Sequence, residues 1–143
     1  MARFELLMCV LAGMSGGLVG VLWSTLVSAP WLASVRGPSA PHLSPERVSG
    51  LVAHAVALAL GGGALGFLFW LGWALVALVN VPWYVAGAAF GVLAWAGVAL
   101  PLLASVALRL RGFGPVAAVL AVEWLVTCVA VGLFCSVAWH RYA

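Results

Sequence analysis

Between Arg47 and Asn80 the chain carries no charged side chain, a single histidine (His54) and three consecutive glycines, Gly61, Gly62 and Gly63. An apolar run of that length cannot be the interior of a small water-soluble domain, because a 143-residue chain has too little material to cover every face of it. It belongs in lipid. A helix is expected to start at Ser44, Pro45 and Glu46, a capping hydroxyl, a proline suited to the first turn and an acid at the positive end of the dipole. Unbroken to Val79, it would measure roughly 50 Å against about 30 Å of hydrocarbon. Its first two turns are therefore expected in the interface, with the embedded part beginning near Gly50.

Composition points the same way. Only 6% of residues are charged and mean hydropathy is +1.24, against roughly 25% charged residues in soluble domains. All six basic residues are arginine, and the abundance of Ala, Gly, Val, Leu and Trp is that of a GC-rich bacterial genome. A net charge of +3 sits at helix ends, where it matches topology and anionic headgroups; no nucleic-acid partner is expected, and the bilayer is. Cys9, Cys128 and Cys135 lie inside apolar runs with no CxxC pair, as small buried hydrophobes do.

Three further spans follow from the same pattern. Leu6 to Ala29 is too long for a signal-peptide core and reads as a retained first span, although Val27, Ser28 and Ala29 are small residues of the cleavage type. Gly13 with Gly17 and Gly16 with Gly20 give it two overlapping close-packing pairs. Pro30, Pro38, Pro41 and Pro45 predict a surface loop over 30–45. Asn80 and Pro82 predict a turn, with Trp83 and Tyr84 at the interface. The third span carries the pair Gly87 and Gly91 and a kinking Pro101, as the second carries Gly62 and Gly66. Arg109 and Arg111 form a basic turn before the fourth span. The fold class expected is an all-α integral membrane protein, four transmembrane helices in an antiparallel bundle forming one domain, over about 5–29, 48–79, 83–108 and 115–139. Arg36, Arg47, Arg109 and Arg111 on the connections outnumber Arg3 and Arg141 at the termini, so the termini are expected on the periplasmic side.

Glu123 is the one acid placed deep within a span. A carboxylate there is costly and faces protein, a partner charge or water. On this topology His54 reaches an overlapping depth, and the two are expected to form an intramembrane polar pair, with Arg47, two turns before His54, and Thr127 as neighbours. The pair serves either as a hydrogen-bonded lock on helix register, or as a proton or ion path, or as a contact to another subunit. No catalytic set, metal pattern or phosphate loop is present, and no cofactor is expected. Haem would need two histidines at one depth, whereas His42 falls in the loop and His140 at the opposite surface.

His54, the Gly62 and Gly66 pair, then Gly87, Phe90, Gly91, Trp95 and Pro101, followed by Glu123, together resemble the YagU-like small four-helix bacterial inner-membrane proteins, over about half the chain. That resemblance implies the fold and a bacterial inner-membrane location, with no activity to carry over. Thr127 stands where it would place a histidine after the final-span Glu. Two functions are expected from these features. The first is a non-catalytic accessory or scaffold subunit packing its glycine faces against a larger membrane complex. The alternative is a self-contained proton- or ion-coupled transporter or channel, homo-oligomeric, using Glu123 and His54.

Overall fold

The computed structural model describes residues 2–36, 46–76, 81–109 and 113–142. These are helical almost throughout and contain no strand. They form four long rods, each long and apolar enough to cross a membrane. The first rod is α1 (Ala2–Trp23), a π-helical turn (Ser24–Ser28) and α2 (Ala29–Arg36); the second is α3 (Glu46–Val76). The third is α4 (Trp83–Ala94), a π-helical turn (Trp95–Ala99) and α5 (Leu100–Arg109), and the fourth is α6 (Gly114–Tyr142).

The first rod departs from the sequence expectation. A loop was expected from Pro30, yet the helix runs through it to Arg36; the rest of that stretch, including His42, Ser44 and Pro45, lies outside the described residues. The reason is local. A proline inside an α-helix lacks the N–H for the fourth residue back and crowds its carbonyl. Here the turn before Pro30 is widened, so that the Ala29 N–H bonds Ser24 O, five residues back. Pro101 is accommodated identically, with the Leu100 N–H on Trp95 O. The triple glycine, by contrast, interrupts nothing: α3 is continuous through it.

The rods meet through their glycines. A Cβ on Gly13 would collide with Gly62 O and one on Gly17 with Leu58 O, while Gly66 is pressed in the same way against Cys9 O. The other glycine pair of the first rod turns to α6: a Cβ on Gly16 would lie 2.6 Å from Val131 Cα, and one on Gly20 would strike Thr127. The two overlapping pairs in α1 therefore serve two different neighbours. Gly87 and Gly91 of the third rod also face α6, at Gly132 and at Cys128 and Val129. α6 is thus gripped between the first and third rods, while α3 packs chiefly on α1. Cys9, Phe69, Val131 and Cys135 are the buried centre, and Phe69 meets Phe90 edge-on at 5.1 Å.

One plan recurs in the first and third rods. Gly16, Gly20 and Pro30 keep the mutual spacing of Gly87, Gly91 and Pro101, the π-helical turns fall at the same place, and each turn ends on a buried small residue, Ser28 or Ala99.

Candidate functional site

Glu123 projects from the third turn of α6 and is 1% exposed, in a chain whose other described charges lie near helix ends. His54 comes from the third turn of α3. The structure brings the two together: His54 Nε2 lies 3.2 Å from Glu123 Oε1. That separation suits an ion pair, but the atoms are not aligned for a hydrogen bond, and among the described residues neither has another hydrogen-bond partner. The two side chains differ in access, with 37% of the imidazole exposed and 2% of the acid.

The expected neighbours divide. Thr127 is buried, but its hydroxyl donates to the backbone oxygen of Glu123 at 2.8 Å rather than to the carboxylate. Its side chain fills the space that Gly20 leaves open. Thr127 is thus a packing residue here. Arg47 is the second residue of α3, two turns before His54, and its side chain lies outside the described residues. All eight expected packing glycines, Gly13, Gly16, Gly17, Gly20, Gly62, Gly66, Gly87 and Gly91, abut a facing helix of the same chain.

Three participants escaped the sequence reading. Ser28 is 1% exposed and its Oγ has no hydrogen-bond partner among the described residues. Gly132 receives the third rod, and Ser136 one turn later donates to Trp83 O. Cys128, Gly132 and Ser136, spaced by four, were the legible signal for that face.

Among the described residues, no three His, Cys, Asp or Glu side chains gather as a metal site. His140 stacks on Trp83; it lies seventeen residues along α6 from Glu123, roughly 25 Å from the His54 contact. What the acid and the imidazole are equipped to do is hold and exchange a proton. The chain matches no family model, no curated protein and no solved structure, so its own residues carry the functional reading.

Proposed function

We propose that this chain is a multi-pass protein of a bacterial inner membrane, its rods antiparallel, acting as a non-catalytic subunit that packs against a larger membrane complex. The antiparallel arrangement is supported by the order of contacts. Cys9, Gly13 and Gly17 meet Gly66, Gly62 and Leu58, and Gly16 and Gly20 meet Val131 and Thr127. Insertion in lipid is supported by the outer surface, where Leu26, Leu60, Leu93 and Leu108 are among many large exposed apolar side chains.

The carrying observation is the third rod. Its most apolar segment is only 6% buried, against 39% for α6, because it leans on α6 and barely touches α3. Between it and α3 opens an apolar cleft of about 370 Å³, walled by Leu65, Leu68, Val98 and Leu102 and floored by Trp124 and Cys128. The glycine faces are spent inside the chain, so a partner helix meets this cleft instead. Gentle solubilisation followed by native mass spectrometry and an absorption spectrum tests the reading. Heterologous membrane subunits should copurify; a clean homo-oligomer would sink it, and a Soret band would restore haem. Terminal reporter fusions should place both ends in the periplasm, as the arginine distribution indicates.

The contact between His54 and Glu123 favours a second reading, a self-contained proton- or ion-coupled transporter. Reconstituted vesicles should then show proton flux that Glu123→Gln abolishes, and wild-type vesicles without flux would refute it.

A further inference from the structure

We propose that a groove between Trp83 and the last turns of α6 binds one anionic phospholipid, an acyl chain in the groove and the phosphate on Arg141. The proposal rests on the placement in lipid given above, not on what the protein assembles with. The groove encloses about 270 Å³ and is lined by Trp83, Leu133, Phe134 and Val137. On α6, Leu133 and Val137 fall between Phe134 and the line of Gly132 and Ser136 that holds the third rod. They form its floor, with Phe134, 44% exposed, at one side and Trp83 at the other.

The Trp83 side is fixed before any ligand arrives. The Ser136 hydroxyl donates to Trp83 O, and His140 stacks on the indole with ring centroids 6.3 Å apart and planes inclined by 21°. A standing wall spares the ligand the cost of ordering it.

Size selects a hydrocarbon chain over a partner helix. Leu133 and Val137 are one turn apart, a floor about 6 Å long, whereas a helix with its side chains is about 10 Å across. None of the four lining residues is small, and close helix approach needs small ones. Charge selects the headgroup. Arg141 is exposed, four residues past Val137 and seven past Phe134, so it stands on the groove's own face one turn further out. A guanidinium there meets a phosphodiester with two parallel hydrogen bonds. The other charged or titratable side chains described at this end are His140, Arg3 and Glu5. Glu5 belongs to α1, which packs on the Val131 side of α6, about 120° around the helix from Val137. Cation and apolar groove thus lie together, away from the acid, and a molecule that joins a phosphate to a hydrocarbon chain fits both.

The test is tryptophan fluorescence of the full chain in phosphatidylcholine vesicles containing a rising fraction of phosphatidylglycerol with brominated chains, and in the converse mixture. Subtracting Trp83→Phe isolates quenching at Trp83. Brominated phosphatidylglycerol should be preferred there about fivefold, the worth of one cation at a membrane surface. Arg141→Gln should make the two lipids equal, and Arg141→Lys should keep most of the preference. Inorganic phosphate at constant ionic strength should leave the preference unchanged. Equal quenching by both lipids in the wild type, or a preference that survives Arg141→Gln, overturns the site. Loss of the preference in phosphate would make it a site for a free anion and overturns the lipid assignment. A chain quenched by neither lipid would overturn the placement in lipid as well.

Discussion

Gly13 and Gly62 occupy each other's missing side chains: a Cβ on either would run into the backbone oxygen of the other. Neither oxygen can swing away, because each belongs to a helical backbone. The contact between α1 and α3 is therefore closed to any larger residue.

Gly13→Leu and Gly62→Leu should each destabilise the protein by about 1–3 kcal/mol, the range for forced overpacking. Gly61→Ala, with nothing within 4 Å of the added carbon, should be neutral or stabilising by up to about 1 kcal/mol. Thermal unfolding in detergent checks both. Equal melting temperatures for Gly13→Leu and the wild type would contradict the helix pairing.

Cys9, Cys128 and Cys135 are 1%, 3% and 0% exposed. A membrane-permeant maleimide should leave all three unmodified in the folded protein and label all three after unfolding. Mass spectrometry of the intact chain counts the adducts; rapid labelling of the folded form would place at least one thiol outside the core.

That silent background makes Ser28→Cys a probe of the widened turn. It should resist the same reagent while Pro30 is present. Pro30→Ala lets an ordinary α-helical turn re-form, rotates residue 28 by about 100° and should raise its labelling rate severalfold. No difference between the two backgrounds would mean that the proline does not hold the turn open.

Trp95 begins the π-helical turn of the third rod and donates its indole N–H to Ala121 O at 2.8 Å. Trp95→Phe keeps the ring's apolar bulk and removes that bond, so equilibrium unfolding should show a loss of about 0.5–1.5 kcal/mol. A loss well below that range would mean that the bond is unimportant to the docking of the third rod.

Much of the architecture was legible because charge is so scarce. Where nearly every residue is apolar, the ends of uninterrupted runs mark the rods, and a lone acid such as Glu123 has few side chains available to meet it. His54 stands out for the same reason. Pro30 misled because a proline reads as a stop unless the preceding turn can widen, and nothing at Ser24 to Ser28 announces that it does. Ser28 was hidden with it: counted on a regular helix it sits off the Gly20 face, and only the altered pitch carries it inward. The glycine pairs were visible by spacing, but whether they met a helix of the same chain or a foreign one depended on three-dimensional order. Gly132 was passed over because its companions at that spacing, Cys128 and Ser136, are small without being glycine.

The placement of α6 bears on how the protein is made. α1 and α3 can zip together as soon as both have left the ribosome, since Gly13, Gly17, Gly62 and Gly66 precede the rest. The third rod has almost nothing to bind at that moment, because its own glycines fit only α6. In the membrane reading proposed above, it would stay laterally mobile beside the hairpin until the last segment is synthesised and locks the assembly. Nascent chains arrested before Gly114 should thus be the form that quality-control proteases recognise.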